Sequence, residues 1–268
     1  MKNDLQAVIH SYENYQEDFR LQSDNSHRLE YLTTIAYMDK YLQPGSSILD
    51  VAAGTGIYAL RYAARGHEVT ALDITPKYID IINKKAADSG LQIDSRVNDA
   101  RDLSIIADAS VDNVFCMGPI YHLTKKEDRD AVMRECVRVL KPGGLLFLAY
   151  INKFFVFSQF ALSSRHYLTE KFYQKIIVDQ TISSTDEDAF WTDSWFTTPD
   201  EIEGIAAASG FTKVNHIAQD GVGRLKSEEV DGMTDENFKL WADFHLRTCE
   251  EPSILGISNH GLYIGKKS

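Results

Sequence analysis

The sequence predicts an α/β fold: a doubly wound, mostly parallel sheet of seven strands, with helical additions at the N-terminus and after the fifth strand. Strand-like and helix-like segments alternate between residues 46 and 152, which is typical of a sheet covered by helices on both faces. The segment "LLFLAYI" at 145–151 is apolar throughout, as expected for a strand buried on both faces. A glycine loop, "AAGTG" at 52–56, separates the first strand from the first core helix.

The core elements follow one another at the spacing that this fold requires. Five segments are predicted strands: "SILDV" (47–51), "HEVTALDI" (67–74), "QIDSRVND" (92–99), "VDNVFCMG" (111–118) and "LLFLAYIN" (145–152). A helix through Arg65 follows the glycine loop. The helix after the second strand has Pro76 in its first turn and Gly90 near its end, where these residues are favoured.

Residues 125–140 predict the clearest helix of the core. Its apolar residues recur at helical spacing and are Val132, Met133, Cys136, Val137 and Leu140. Thr124 followed by Glu127 fits a capping box, and "KPGG" at 141–144 ends the helix.

At 268 residues the chain suits one domain with additions. We expect an N-terminal helical cap (1–45), a cofactor-binding core (46–152), an insertion (153–197) and a C-terminal part (198–268) that completes the sheet. In the last part Thr198 is the expected cap of a helix. The aromatic-rich insertion is expected to form a lid over an organic acceptor. Its alternative role is an oligomer contact, because "FFVF" would be an exposed apolar patch unless covered.

The bulk composition, 44% hydrophobic and 25% charged, is that of an ordinary globular protein. A formal net charge of -11 argues against nucleic acid as a partner. No apolar run is long enough to span a bilayer, and the start lacks the apolar core of a signal peptide. Cys116, Cys136 and Cys249 are far apart and odd in number, which fits a reducing compartment. We expect a cytoplasmic protein that does not bind a membrane, either a monomer or a homodimer.

The glycine loop indicates a nucleotide-like ligand without identifying it. Gly54 and Gly56 lie at a strand-to-helix turn with available N–H groups, although such a turn can need glycine for structural reasons alone. Asp73 ends the second strand, where a carboxylate can accept both hydroxyls of a ribose. Asp50 ends the first strand and would repel a pyrophosphate. Ala59 replaces the third glycine of a dinucleotide fingerprint, so a ligand with an amino group or a sulfonium is favoured.

Five ordered motifs carry a family resemblance: "ILDVAAGTGIYA", "VTALDIT", "VNDARDL", "VDNVFCMGPIYHL" and "VLKPGGLLFLAY". Their order and spacing resemble the class I (Rossmann-like) S-adenosylmethionine (SAM)-dependent methyltransferases, in the bacterial branch with a type 11/25-like methyltransferase domain. The resemblance covers about residues 44–152. It implies the strand order 3-2-1-4-5-7-6, SAM as the cofactor and S-adenosylhomocysteine (SAH) as the product.

The resemblance also implies which residues hold the cofactor. The matching positions are Asp50, Ala52, Ala53, Gly54, Thr55, Gly56, Asp73, Ile74, Asp99, Ala100, Met117 and Gly118. The first six would hold the methionine part, with Asp50 favouring its amino group. Asp73 would bind the ribose, Ile74 would pack on the adenine, and Asp99 with Ala100 would contact the adenine edge. The last two positions would line the methionine side.

Structural alternatives stay open for several of these positions. Asp73 could cap the helix that follows it, Asp99 lies in a plausible turn, and Met117 could be a packing residue. Ala52 replaces the glycine that commonly opens the loop, so it must take its place without a positive φ.

Tyr121 and His122 in "GPIYHL" are the candidate catalytic residues. They follow the fourth strand, and ligands of such sheets bind at the carboxyl ends of the strands. His122 could deprotonate a hydroxyl, amine or thiol, and Tyr121 could orient it. The alternative is that both residues pack the loop and cap the next helix. Methyl transfer is an in-line displacement that mainly needs alignment and exclusion of water, so a general base is needed only for a protonated nucleophile.

Resemblance to the same branch extends to the flanking segments and suggests further pocket residues. These are Tyr15, Arg20, His27, Arg28, Trp195, His245 and His260. A capping role is the alternative for His27 and Arg28, which open an amphipathic helix. His245 and Cys249 are four residues apart, a spacing that can bind metal. No third ligand accompanies them, so we expect no metal site.

The sequence therefore predicts an enzyme that transfers a methyl group from SAM to a small-molecule acceptor by in-line displacement and releases SAH. The alternatives are RNA or protein as the acceptor, a non-catalytic SAM- or SAH-binding protein, and a nucleotide-binding oxidoreductase. The identity of the acceptor and the atom that is methylated stay open.

Overall fold

A seven-stranded sheet forms the centre of the chain, as seen in a computed structural model that describes residues 5–14 and 17–268. Its strands are β1 (Ser47–Asp50), β2 (Glu68–Asp73), β3 (Asp94–Val97), β4 (Val111–Cys116), β5 (Leu140–Ile151), β6 (Phe211–Ala218) and β7 (His260–Lys267). Their order across the sheet is β3-β2-β1-β4-β5-β7-β6. The first five strands are parallel, and β7 is antiparallel to both of its neighbours. The predicted fold class and strand order are confirmed.

Helices surround this sheet. The longer ones are α1 (Gln6–Asn14), α2 (Asn25–Tyr41), α3 (Ile57–Ala63), α4 (Pro76–Asp88), α5 (Lys126–Val139), α6 (Lys153–Ser163), α7 (Pro199–Ala208) and α8 (Asp235–Thr248). Shorter helical turns are Glu17–Gln22, Pro119–His122, Glu170–Tyr173, Gln174–Val178, Gly221–Gly223, Ser227–Asp231 and Pro252–Leu255. A two-stranded sheet pairs Thr181–Ile182 with Ser194–Trp195. None of the helices in the described ranges has the length and apolar character to cross a membrane.

Each face of the sheet is buried against a different group of helices, because successive strand side chains point to opposite faces. Leu146 and Leu148 of β5 belong to an apolar cluster that includes residues of α5 and α7. Phe147 between them belongs to a second cluster, formed with α2, α3 and α4. All three side chains are fully buried. The uninterrupted apolar sequence of β5 thus reflects burial on both faces.

The insertion after β5 has an apolar cluster of its own. Phe155 and Phe172 are buried there together with Tyr121, which follows β4. Within "FFVF", Phe155 and Val156 are buried, whereas Phe154 is 48% exposed. The segment "FFVF" is therefore largely covered, whereas Leu162, Leu168 and Val178 of the same insertion are exposed.

Two predicted helix caps have different outcomes. Thr198 caps α7 in a full capping box: its side chain accepts a hydrogen bond from the Glu201 N–H, and the Glu201 side chain accepts one from the N–H of Thr198. The capping box predicted from Thr124 and Glu127 is wrong. Helix α5 begins one residue later than that box requires, so Glu127 occupies the second helical position and not the third.

Candidate active site

A cavity of about 150 Å³ lies at the carboxyl ends of β1, β2 and β4, where open α/β sheets bind their ligands. The loops after these strands form part of its wall. The N-terminal segment, by which we mean residues 5–14 and 17–22, forms another part with Leu5, Val8, Tyr12, Glu17, Arg20 and Leu21. No residue of the insertion 153–197, which the structure describes in full, lines this cavity. The predicted role of the insertion as a lid stays a prediction.

The glycine loop after β1 brings its backbone to the cavity through Ala52, Ala53, Gly54 and Thr55. Gly56 does not line the cavity and packs on α4. It has a φ of +86°, and a Cβ there would lie 2.8 Å from Ile82 Cγ1, so only glycine fits. Ala52 and Ala53 are not among the described non-glycine residues with positive φ. Alanine is therefore compatible with the opening of this loop.

Asp73 ends β2, and its carboxylate holds the glycine loop. One oxygen accepts a hydrogen bond from the Gly54 N–H at 2.9 Å, and the other accepts one from the Thr75 N–H at 2.8 Å. Burial raises the pKa of Asp73 to about 6, although these two N–H groups oppose the shift. Because an ionised carboxylate has about four acceptor positions, Asp73 retains the capacity to accept hydrogen bonds from a ligand in the cavity.

Asp50 at the end of β1 is a buried acid without a hydrogen-bond partner in the described part of the chain. Its side chain is 1% exposed, and neither carboxylate oxygen is paired. It does not line the cavity, whose wall at this point is Val51 and Ala52. Burial raises the pKa of Asp50 to about 8; the nearby backbone N–H of Ala52 opposes this rise, and the carboxylate of Asp73 adds to it. An unpaired buried carboxylate is costly, so a cationic group close by would stabilise the ionised form of Asp50.

Ile74, Asp99 and Ala100 line the same cavity. Ile74 and Ala100 present apolar surface and pack against the core cluster of β1 and β4. The carboxylate of Asp99 is bound by Arg101 in a two-pronged contact of 2.7 and 3.1 Å, and Arg101 also bonds Asp128 at 3.0 Å. Asp99 therefore lines the cavity with a carboxylate that an ion-pair network holds in place.

Met117 and Gly118 line the cavity after β4. The carbonyl of Met117 accepts a hydrogen bond from Tyr121 Oη at 3.0 Å. A Cβ on Gly118 would lie 3.4 Å from the Cβ of Ala52. A larger residue at position 118 would therefore narrow the space between β1 and β4.

Tyr121 and His122 both line the cavity, and His122 is bound by Tyr12 of α1. The Tyr12 Oη lies 2.7 Å from His122 Nε2, and the carbonyl oxygen of Asp193 lies 3.2 Å from Nδ1. Because a carbonyl can only accept, Nδ1 carries the ring hydrogen and Nε2 accepts from Tyr12. Burial lowers the pKa of His122 to about 4, so the ring is neutral at physiological pH. The insertion thus orients His122 through Asp193.

The residues predicted for the acceptor pocket lie in different places. Arg20 lines the cavity, and Tyr15 lies outside the described residues. Five do not line it: His27, Arg28, Trp195, His245 and His260. Their contacts are His27 with Asp24 (2.7 Å), Arg28 with the Phe238 ring (4.9 Å), Trp195 with Arg129 (3.9 Å), His245 with the Ala218 carbonyl (3.1 Å) and His260 with Asp220 (2.8 Å). A direct acceptor contact by these five stays a prediction.

One trio of possible metal ligands comes together among the described residues. Side-chain atoms of Glu30, Asp220 and His260 lie within 4.8 Å of one another. Both oxygens of Glu30 already accept hydrogen bonds from Arg20, at 3.0 and 3.3 Å. The trio is therefore part of a buried ion-pair network that ends at the cavity.

The sequence interpretation missed the N-terminal residues of the cavity other than Arg20. Leu5, Val8 and Tyr12 recur at positions i, i+3 and i+7, which is the apolar stripe of an amphipathic helix. Glu17 and Arg20 are three residues apart and form an ion pair at 2.9 Å. These two spacings were the available signals, and both lie outside the core motifs.

Comparison with known proteins agrees with this geometry. Residues 48–144 match the family model described as "Methyltransferase domain". The ubiquinone biosynthesis O-methyltransferase of Xanthomonas euvesicatoria pv. vesicatoria (strain 85-10) is 35% identical over 133 residues, which are 50% of this chain and 52% of that protein. The chain thus spans about half the length of this relative.

Solved structures share the fold over most of the chain. A SAM-dependent methyltransferase from Methanosarcina mazei has a TM-score of 0.62 at 20% identity, and the match covers 86% of this chain and 96% of the other. A possible histamine N-methyltransferase from Thermotoga maritima has a TM-score of 0.57 at 16% identity, with coverage of 99% and 100%. The sheet and its ligand edge define a class I, Rossmann-like methyltransferase fold. Residues 48–144 thus match a methyltransferase domain, as the motifs predicted, and the rest of the chain shares the fold of these methyltransferase structures.

Proposed function

We propose that this protein transfers a methyl group from SAM to a small-molecule acceptor and releases SAH. The observation that carries the proposal is the cavity at the carboxyl ends of β1, β2 and β4, which brings together the glycine loop and Asp73, with the buried Asp50 behind its wall. When bound, SAM would supply an electrophilic methyl group on a sulfonium, which is a strong leaving group.

The polar and apolar parts of the cavity match the parts of SAM. The glycine loop and Asp50 would hold the methionine part, because an ammonium group compensates a buried carboxylate. Asp73 would accept hydrogen bonds from the ribose hydroxyls. Ile74 and Ala100 would cover the adenine, and Asp99 would contact its edge. The two residues after β4 would line the methionine side.

Tyr121 and His122 stand at the proposed reacting edge. A base with a pKa of about 4 holds a proton poorly at neutral pH. We therefore assign His122 to orienting Tyr12, in preference to net removal of a proton. The hydrogen bond that Tyr12 donates to His122 fixes the phenol oxygen as an acceptor toward other groups. Alignment of this kind is the main requirement for an in-line displacement.

A small acceptor is supported by the way in which the N-terminal segment covers the cavity, and by the O-methyltransferase relative. The net charge of -11 gives little attraction for a phosphate backbone. RNA or protein as the acceptor, and SAM or SAH binding without catalysis, are the alternatives to be tested. A cytoplasmic location and a monomeric or homodimeric state belong to the same proposal.

Calorimetric titration of SAH tests the cofactor part of this proposal. We expect the wild-type protein to bind SAH and the Asp73→Asn variant to bind at least about tenfold more weakly, because charge-assisted hydrogen bonds are lost. Asp94→Asn is the matched control, since Asp94 is an exposed carboxylate paired with Arg96. It should bind SAH like the wild type.

Two results would contradict the proposal at different levels. Binding of NAD without any binding of SAH by the wild type would refute the methyltransferase function. Equal SAH affinity of the wild type and Asp73→Asn would refute the ribose assignment alone.

A further inference from the structure

Trp191 of the insertion contacts the two candidate catalytic residues from outside the cavity. It lies on the loop 183–193, which joins the two strands of the small sheet. The centroid of its ring lies 4.8 Å from that of His122, edge to face at 63°, and 6.1 Å from that of Tyr121, at 31°. Tyr121 and His122 line the cavity, whereas Trp191 does not. Trp191 therefore packs on the outer side of the wall that these two residues form.

Asp193, at the end of the same loop, makes the second contact with His122. Its carbonyl oxygen lies 3.2 Å from Nδ1 of His122. Its carboxylate accepts hydrogen bonds from the N–H of Ser184 at 2.7 Å and from the hydroxyls of Ser184 and Ser183 at 2.9 and 3.2 Å. Asp193 thus joins the two ends of the loop, and the carbonyl that binds His122 is fixed by it.

The middle of the loop is held by Lys175. The Lys175 ammonium donates a hydrogen bond to Asp188 at 2.5 Å and lies 3.0 Å from Asp186. Asp186 also accepts a hydrogen bond from the N–H of Ser183 at 2.8 Å. Asp188 is buried, and Trp191 itself is half-buried. The loop is therefore fixed by its own contacts and presents Trp191 to the cavity wall before a ligand binds.

These contacts determine the orientation and the tautomer of the His122 ring. A neutral imidazole has two tautomers, and the hydrogen bond at one nitrogen selects between them. The Asp193 carbonyl selects hydrogen on Nδ1 and leaves Nε2 to accept from Tyr12 at 2.7 Å. Trp191 and Tyr121 pack on the ring in edge-to-face geometry, which favours one orientation. Without the indole, the ring would gain rotational freedom and contact with water.

Building on the proposed function, we propose that Trp191 and the Asp193 carbonyl are the positioning groups through which the insertion controls methyl transfer. They hold Tyr121 and His122 in place, and His122 in turn holds the Tyr12 phenol. The insertion then acts on transfer from behind the cavity wall, a role different from the predicted lid. The competing explanation is that Trp191 only stabilises the insertion. The two explanations differ in whether loss of the indole changes His122 and methyl transfer or changes stability alone.

Nitrogen NMR of His122 in the ligand-free, isotopically labelled protein is the first test. Burial lowers the pKa of His122 to about 4, and Asp193 opposes this shift. The wild type should therefore show one neutral tautomer, with hydrogen on Nδ1, above about pH 5. Trp191→Leu should show mixed tautomers and a pKa that rises toward about 6.5, the ordinary value. Asp193→Ala should also mix the tautomers, whereas Trp191→Phe keeps an aromatic ring and should resemble the wild type.

The second test measures transfer of labelled methyl from saturating SAM to the small-molecule fraction of a cell extract. Trp191→Leu and Asp193→Ala should transfer at least about tenfold more slowly, because misplaced groups lose alignment. Their SAH affinity, measured by calorimetry, should stay within about twofold of the wild type. Trp241→Leu and Asp94→Ala are matched controls, since Trp241 is a half-buried indole that packs on the Phe238 cluster and Asp94 is an exposed carboxylate. Both should transfer label like the wild type.

Three outcomes would overturn the inference while leaving the proposed function in place. They are an unchanged His122 tautomer in the folded variants, a changed tautomer with full transfer, and a loss of SAH affinity as large as the loss of transfer. Asp193→Ala keeps the test decisive if Trp191→Leu does not fold. A wild type that binds SAH but transfers no label would instead refute the proposed function, and the role in transfer with it.

Discussion

Asp50 links the stability of the fold to pH, because its carboxyl group is buried. Its buried carboxyl has a pKa of about 8, whereas the pKa of an aspartic acid in an unfolded chain is about 4. The folded protein therefore holds this proton more tightly than the unfolded chain does. The stabilisation from this group is fully present below about pH 4 and is lost as the pH rises through about 8.

Replacing Asp50 with asparagine should remove this pH dependence. We expect the free energy of unfolding of Asp50→Asn, relative to the wild type, to increase by at least about 1 kcal/mol between about pH 5 and about pH 8, or a few degrees in Tm. Thermal unfolding of the ligand-free wild type and variant at both pH values measures this change in relative stability.

Asp112→Asn provides a control of opposite sign. Burial opposes ionisation of Asp112, but Lys141 and Ser47 lower its pKa, so its charged form stabilises the fold above the unfolded pKa and the stabilisation is lost as the pH falls. This variant should lose stability relative to the wild type at the higher pH. A pH-independent difference between Asp50→Asn and the wild type would contradict the assignment for Asp50.

Some features of the site could be predicted from single residues, and others could not. The motif residues were recognisable because each type suits one chemical task at the end of a strand. Which of their atoms already have partners was not predictable. Tyr12 and His122 are 110 positions apart and still form a hydrogen bond, and this bond changes the expected role of His122.

At the scale of elements, the core was predictable because a strand buried on both faces, such as β5, has an uninterrupted apolar sequence. The sequence pattern of the N-terminal segment is weaker. It docks on α4 through Lys77 Nζ, which bonds the Glu13 carbonyl at 2.6 Å, and through an ion pair of Lys85 with Asp18. These partners lie far apart in sequence, so the helical pattern indicated a helix without indicating that it covers the cavity.

The insertion should contribute to stability separately from cofactor binding. Phe172 is fully buried, and its ring lies 5.0 Å from that of Tyr167 and 5.9 Å from that of Phe157. Phe172→Ala should lower the free energy of unfolding by about 3–5 kcal/mol, measured by urea denaturation. SAH affinity of the folded variant should stay near that of the wild type, because the insertion does not line the cavity.

Leu162→Ala is the control for this substitution. Leu162 is 84% exposed on the same insertion, so its truncation should change stability by less than about 0.5 kcal/mol. If Phe172→Ala stayed folded but lost SAH binding, the insertion would have to act on the cofactor site, and the separation of the two roles would be wrong.

At the scale of the whole molecule, the fold and the family do not by themselves select an acceptor. The part of the chain that matches the methyltransferase domain spans residues 48–144, whereas the N-terminal segment and the insertion lie outside it. Selectivity for the acceptor is therefore expected to come from these additions. A cavity covered by a helix admits a small molecule more readily than a polymer, and the excess of acidic residues over the whole chain acts against nucleic acid.

We therefore expect the methyl group to reach a small molecule when SAM with a labelled methyl group is supplied together with fractionated cell extract. Mass spectrometry should find the label in the small-molecule fraction and not in the RNA or protein fraction. Asp73→Asn should transfer less label at limiting SAM, while Asp94→Asn should match the wild type, so that transfer is tied to the cavity. Label in RNA or protein would favour the polymer alternatives. Tight SAH binding without transfer to any fraction would favour a binding protein, because the same cavity would then hold the cofactor without presenting its methyl group to an acceptor.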